Sequence, residues 1–445
     1  MEFCSDLFGM NNLFIRENKV FNGLSKEIVN NGFSDFSPAG LSLFLSFRYP
    51  VLGTTMFSDI LRIDCPFDYN QMGFSTNTKD SLEAAKERIE TMLLDSVQKH
   101  VGNAKRIGIL LSGGLDSSLL CAMCARLYPN REIYSYSIGF KGDDEFEYSS
   151  KVSQQFNTKH YKKVLQKSDF FGEDSILKSL IKQKASPLHP NELPLAIAGS
   201  KARLDLCDCV LCGEGSDDIF GGYGQLLRMY LIYNGNTLDF YKQIMNEYRY
   251  FSIEKITKLL RDEYIVSDIE IIKKAFIDSE IPHNLPDYML YFIQRIHTRG
   301  LVERAANALL FSGFRPSFVY LDSALVSYVN SLPFAYKVQF RDGVSQECIE
   351  RELNSNGYRG LSDNLDIPKF ILKLIAKDYL SDEIIYRRKK GFPVPFNLWD
   401  KNENFSFNLN QNIFKTKDIS FLNGWEKFMI YNLNCFIEIF EDYKT

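Results

Sequence analysis

From Lys79 to Val101, apolar residues recur with helical spacing. Leu82, Ala85, Ile89, Met92, Leu93 and Val97 fall three or four positions apart with charges between them, which predicts one long amphipathic helix. The pattern then changes. Segments 106–111, 132–139, 159–165 and 207–213 read as strands. Segments 117–127, 145–157, 168–184 and 193–206 read as the helices between them. Strands separated by helices of this length predict a parallel sheet flanked by helices, with right-handed crossovers. From about 225 onward the chain is mostly helical and aromatic-rich, with few Gly or Pro until Gly313 and Pro316. Before the long helix, Ser37-Pro38-Ala39-Gly40-Leu41 starts a capped helix with proline in its first turn. Gly53 to Ile63 reads as a turn and a short strand. The expected organisation is a short N-terminal segment over 1–80, an α/β core over 81–225 and a helical region over 226–445. The first segment is too small for a rich core of its own and should pack on the rest of the chain.

Composition narrows the class. The chain has 445 residues, 45% hydrophobic and 24% charged, as in folded globular proteins. The net charge of −4 and the lack of a long basic block give no electrostatic argument for nucleic acid. No run of about 18 apolar residues predicts a membrane span. The first residues show no basic stretch leading into an apolar one, as a signal peptide would. Nine cysteines without a spaced framework then suggest reduced thiols and a cytoplasmic setting. Cys121 and Cys124 form a C-x-x-C, but inside a predicted buried helix, where small apolar side chains are expected. Cys207, Cys209 and Cys212 cluster on a predicted strand. Metal or redox chemistry at these thiols is the weaker reading.

Candidate chemistry lies in three segments. Ser112-Gly113-Gly114-Leu115-Asp116-Ser117-Ser118 joins the first strand to its helix. Such a turn aims backbone N–H groups, hydroxyls and the positive end of a helix dipole at one spot, which suits a phosphate. Asp116 would repel a bare phosphate, so a bridging divalent cation is implied. The same turn could serve as an ordinary tight connection. Cys212-Gly213-Glu214-Gly215-Ser216-Asp217-Asp218 repeats the pattern after the fourth strand. Asp217 stands five positions beyond Cys212, as Asp116 stands five beyond Leu111. If the two strands are neighbours, the carboxylates converge, and two carboxylates plus phosphate oxygens match Mg²⁺. Alternatively, those aspartates only cap a helix. The third segment, Arg387-Arg388-Lys389-Lys390-Gly391-Phe392-Pro393, offers either a lysine to neutralise a departing pyrophosphate or a solvated basic run.

Together these segments resemble the synthetase domain of the asparagine synthetase family, within the PP-loop ATP pyrophosphatases. The resemblance covers about 80–400 and implies an adenine nucleotide alpha hydrolase-like fold. It implies that ATP and a carboxylate give an acyl-adenylate and pyrophosphate, and that ammonia or another amine displaces AMP. By motif, Ser112, Gly113, Gly114, Asp116 and Ser117 would hold the pyrophosphate end of ATP. Asp116 and Asp217 would bind Mg²⁺. Adenosine would lie against Leu111, Ile138 with Gly139, and Cys212 with Gly213. Lys389 matches the lysine that stabilises the adenylation transition state, and Glu214 the glutamate that assists the attacking amine. The β-lactam-forming branch carries Tyr there, so Glu214 favours intermolecular amidation.

Departures from the family pattern shape the expectation. Position 2 is Glu rather than the nucleophilic Cys of glutamine-hydrolysing members, and Cys4 lacks the following Gly-Ile. Barely 80 residues precede the long helix, and Ser37–Ile63 resembles the family's interdomain segment. The glutaminase is therefore expected to be absent. Nitrogen would come from free ammonia, a separate glutaminase or another amine. Around Gly313–Asp322 the family's E-x-R-x-P-F-L-D is replaced by a longer segment ending in Tyr320-Leu321-Asp322. That points to an acceptor other than free aspartate: a uronic acid, a peptide carboxylate or a specialised metabolite. Ser186–Glu192 either lines an acceptor pocket or forms a Pro-rich helix entry capped by Asn191. Two other functions compete. A PP-loop enzyme thiolating RNA predicts a basic face and working cysteines. A non-catalytic nucleotide-binding partner predicts loss of Asp116, Asp217 and Lys389, all of which are present.

Overall fold

The computed structural model describes the whole chain apart from 1–5, 11, 65–68, 225–227, 234, 277–283, 357–364, 389–390, 392–393 and 404. It opens with an antiparallel sheet of β1 (Leu13–Arg16), β2 (Lys19–Phe21) and β3 (Leu61–Ile63), in the order β2-β1-β3. The β1–β2 hairpin is not evident in the sequence. Its two-residue loop, Glu17-Asn18, has positive φ at both positions, the geometry of a type I′ turn, without the glycine that usually announces one.

Helix α1 (Leu24–Asn31) precedes α2 (Pro38–Phe47). Ser37 caps α2 by accepting from the Gly40 N–H at 3.0 Å, and Pro38 occupies the first helical position. Every residue of α2 from Gly40 onward is buried. One side joins Phe428 and Phe436 in a core, and another joins Tyr288 and Met289. The N-terminal segment thus packs on the helical region rather than forming a core of its own. Helix α3 (Leu82–Val101) is capped by Ser81 and buries Ala85, Ile89, Leu93 and Val97.

The central unit is β4 (Arg106–Leu110), α4 (Leu115–Leu127), β5 (Glu132–Phe140), α5 (Phe146–Gln155), β6 (Lys159–Leu165), α6 (Lys167–Phe171), α7 (Leu177–Lys184), α8 (Glu192–Leu204), β7 (Cys209–Leu211) and α9 (Ser216–Phe220). Its strands are all parallel, in the order β6-β5-β4-β7. The expected α/β class holds, with two local differences. The predicted helix 168–184 breaks into α6 and α7, because the Ser175 hydroxyl donates to the carbonyls of Asp169 and Phe170 and closes the first piece. The fourth strand is shorter than 207–213. Asp208 turns the chain by accepting from the Lys105 and Arg106 N–H groups, and Cys212 instead bridges Phe318.

The rest is mostly helical, with one small unanticipated sheet of β8 (Val338–Phe340) and β9 (Asp366–Pro368). Helices Leu285–Phe292 and Thr298–Phe311 run into each other through a π-helical turn at Ile293–His297. Among the described residues, no helix is long and apolar enough to cross a membrane.

Candidate active site

The first Gly-rich turn hangs from the carboxyl end of β4. Leu111 extends the pairing, donating to the Tyr136 carbonyl at 2.9 Å, while the Ser137 hydroxyl donates to the Leu111 carbonyl. The chain reverses at Gly113 with φ +73°, and a Cβ there would sit 2.4 Å from the Ser149 nitrogen. Only glycine fits so close to that backbone. The Ser117 hydroxyl accepts from the Ser112 N–H at 3.1 Å, and the Ser112 hydroxyl accepts from the Gly114 N–H at 3.2 Å. No side chain caps α4, which leaves its first turn able to receive an anion.

The second turn lies beside the first because β7 pairs with β4. The Ser216 hydroxyl donates to Asp116 Oδ1 at 2.7 Å and ties the turns together. Asp217 is buried. A Cβ on Gly222 would lie 2.0 Å from Asp217 Oδ1, so glycine there permits the aspartate's position. Tyr320, from the segment that departs from the family pattern, donates to the Asp116 carbonyl at 2.9 Å. That segment therefore supports Asp116 as well as bridging Cys212 at the sheet edge.

The two aspartates converge on one cation. Lys369 Nζ lies 2.8 and 2.9 Å from the Asp116 oxygens and 3.0 Å from Asp217 Oδ1. Burial alone would make the ammonium give up its proton more readily, but the two carboxylates outweigh that and hold Lys369 above its ordinary pKa. Lys369 follows β9 and has a left-handed φ of +55°, a strained conformation for a residue with a Cβ.

These turns line a cavity of about 510 Å³, a size suited to a small ligand. Leu111, Ser112, Gly114, Asp116, Ser117, Ile138, Cys212, Gly213, Glu214 and Asp217 all line it. Gly113 and Gly139 shape it from behind: a Cβ on Gly139 would meet the Asp144 side chain at 2.5 Å. Lys389 lies outside the described residues. Its neighbours Arg387 and Gly391 line the cavity. Arg387 pairs with Glu145 and stacks 4.5 Å over Tyr148.

Away from the first turn, Arg304 binds Glu214 and approaches His189 Nδ1 at 3.5 Å. The Ser186–Glu192 segment both borders the cavity and leads into α8, which Asn191 directly precedes. His189 and Asn191 line the cavity, and Asn191 does not cap α8 with its side chain. Instead, Glu192 Oε2 accepts from the His189 N–H at 3.2 Å. Glu192 also meets Lys184 at 3.1 Å, Lys184 meets Glu303, and Glu303 meets Arg62 at 2.7 Å. This buried network fixes the helix bearing Arg304 against the loop bearing His189. Burial, then the charges of Arg304, Arg48 and Lys184, hold His189 well below its ordinary pKa. His189 is thus neutral near pH 7.

Sequence reasoning did not find Lys369 or Arg304. Lys369 meets Asp116 across 253 positions and Arg304 meets Glu214 across 90, so no local spacing could reveal them. The cysteines match the apolar reading. Cys121, Cys124 and Cys212 are buried, and burial pushes the thiols of Cys121 and Cys212 up to about 12. Among the described residues, no group of three His, Cys, Asp or Glu side chains is arranged to hold a metal.

The asparagine synthase family model matches residues 88–423. A putative glutamine-hydrolysing asparagine synthetase of Methanocaldococcus jannaschii is 27% identical over 320 residues, 70% of this chain and 49% of that protein. Asparagine synthetase 1 of Bacillus subtilis is 24% identical over 336 residues, 71% of this chain and 51% of that protein. The chain spans about half the length of these curated relatives. Among solved structures, an NH3-dependent NAD synthetase from Campylobacter jejuni aligns at 17% identity and a TM-score of 0.25, over 49% of this chain and 96% of that one.

Proposed function

This chain belongs to the asparagine synthase family, and from that premise we propose that it is an ATP-dependent amide-forming ligase. The observation that carries the reading is the meeting of Asp116 and Asp217 on one positive centre beside an open phosphate-type turn. In the proposed reaction a carboxylate oxygen of the acceptor attacks the α-phosphorus of ATP. The bond to the β-phosphate oxygen breaks, and pyrophosphate leaves with that electron pair. An amine nitrogen then attacks the acyl carbon, AMP leaves, and the nitrogen loses a proton.

Each role belongs to a named group. Ser112, Gly114 and Ser117 cradle the departing pyrophosphate, and Lys369 and Arg387 bring positive charge to it. Lys389 is proposed for the same charge, on the strength of its motif. The adenosine lies against Leu111, Ile138 and Cys212. Glu214, oriented by Arg304, accepts the proton of the attacking amine. Asp116 and Asp217 suit a magnesium ion. The Lys369 ammonium lies within 3.0 Å of both, so one cation can reach both carboxylates, and they supply the hard oxygen ligands Mg²⁺ prefers. Mg²⁺ bound there would neutralise phosphate oxygens.

We take 81–225 as the ATP-binding core, with the helical region after 226 completing the site. The acceptor is proposed to be a carboxylate other than free aspartate, and ammonia or another amine the nitrogen source. The test is pyrophosphate release from ATP and Mg²⁺ with a panel of carboxylates and amines. Acceptor-dependent release that Asp116→Asn abolishes supports the reading. Release unchanged in Asp116→Asn overturns it.

A further inference from the structure

A second cavity of about 430 Å³ shares two wall residues with the first, Arg48 and His297. Its rim carries the exposed side chains of Asn397 and Asn423, so it reaches solvent. Trp425 and Tyr250 give it aromatic faces. It therefore forms a vestibule whose inner wall is the outer wall of the catalytic cavity.

That shared wall is cationic and held in place. Arg48 ends α2 in a left-handed conformation, φ +70°, where glycine commonly stands. A strained non-glycine residue at a cavity junction suggests a functional constraint. Its guanidinium lies 4.5 Å over the Tyr250 ring. No carboxylate among the described residues pairs with it. The other arginines nearby are matched: Arg249 binds both oxygens of Asp268, and Arg304 binds Glu214. His297 ends the π-helical turn and shares a hydrogen bond of 2.7 Å between its Nδ1 and the Tyr248 hydroxyl. His297, Leu301 and Arg304 recur at helical spacing and all line the catalytic cavity. On the same side, His189 Nε2 and Arg304 Nε are buried without a hydrogen-bond partner. Buried polar atoms in that state call for a partner supplied by ligand or water.

We propose that the acceptor carries a second anionic group, a carboxylate or a phosphate, which seats on Arg48 while the body of the molecule extends into the vestibule against Tyr250 and Trp425. This rests on the ligase reading for the reacting carboxylate. An arginine facing both chambers selects an acid long enough to span them, and a one-carboxylate acid lacks the group that Arg48 binds.

The chain has two tryptophans, and Trp425 lines the vestibule. Trp399→Phe leaves Trp425 as the sole reporter. In that background, with Mg²⁺ and α,β-methylene-ATP, Trp425 emission is titrated with glutarate, glucuronic acid 1-phosphate and valerate. The first two carry a second anion, a carboxylate or a phosphate, and valerate matches glutarate in length without it. Saturable binding of glutarate or the sugar phosphate, at least tenfold tighter than valerate, is expected. Arg48→Gln should weaken it at least tenfold and Arg48→Lys less, both with melting points near the parent's. Equal binding of valerate, unchanged binding in Arg48→Gln, or no saturable response to any probe overturns the proposal. Pyrophosphate release is scored separately. Arg48-dependent binding without release removes the ligase reading and keeps the anion site. Release that ignores Arg48 does the reverse.

Discussion

Replacing Lys369 by methionine tests the centre of the site without altering its shape much. The ammonium is 7% exposed, and its partners Asp116 and Asp217 are 16% and 10% exposed. At an effective dielectric constant of about 20, one unit-charge pair at this separation is worth roughly 6 kcal/mol before desolvation. Burying the ammonium offsets much of that. Removing one partner of a buried ion pair costs about 3–5 kcal/mol, because the remaining charge stays buried. Here two like charges remain, which places the expected cost at the upper end. At roughly 2 °C per kcal/mol for a large domain, the melting point should fall by about 10 °C. The diagnostic is its recovery. A divalent cation can take the place of the ammonium between two carboxylates, so millimolar Mg²⁺ should raise the melting point of Lys369→Met by several degrees while moving the parent little. Differential scanning fluorimetry with and without Mg²⁺ reads both effects. A variant as stable as the parent, or one with the parent's Mg²⁺ response, refutes the argument that Lys369 stands between two ionised carboxylates.

The same geometry sets further outcomes. Asp116→Asn keeps the bond to Ser216 but loses charge, and kcat for pyrophosphate release should fall by about 10²-fold or more. Glu214→Gln should separate the half-reactions: adenylation persists in a single-turnover pyrophosphate assay, while amide product falls by about 10²-fold or more. Gly222→Ala places a Cβ 2.0 Å from Asp217 Oδ1, and a displacement of about 1 Å there should lower kcat/KM by roughly 10²-fold with the fold retained by circular dichroism. His189 is held below its ordinary pKa by burial and neighbouring cations. The unfolded chain therefore binds more protons than the folded one below about pH 6.5. The stability from neutral His189 is present above that pH and is lost as pH falls. His189→Gln should flatten the decline of melting point with acid between about pH 6.5 and 5, and an unaltered slope would contradict the burial argument.

Much of the central sheet was legible because its signals are local. The segments read as strands at 106–111, 132–139 and 159–165 became β4, β5 and β6 with shifts of a residue at most, since short β-prone stretches set between helical patterns are a local signal. The hairpin at Glu17-Asn18 was hidden because its turn lacks glycine, and the break between α6 and α7 because a single serine hydroxyl closes the helix end. The 186–192 segment was readable only as two alternatives. Proline and asparagine suit a helix entry or a pocket wall equally well, and the segment serves as both: His189 and Asn191 line the cavity, and Asn191 directly precedes α8.

The two Gly-rich turns, and a carboxylate six positions beyond each strand, were legible from the amino-acid order alone. Those features depend on backbone conformation over a few residues, and glycine, serine and aspartate each report it directly. Only the tertiary structure decided what the carboxylates face. The pairing of β7 with β4 brought Asp116 and Asp217 together, a strained lysine 253 positions away came to lie between them, and Arg304 took Glu214. Charge pairing depends on distance in space, and a buried charge accepts whichever partner the packing delivers. No spacing along the chain records that choice.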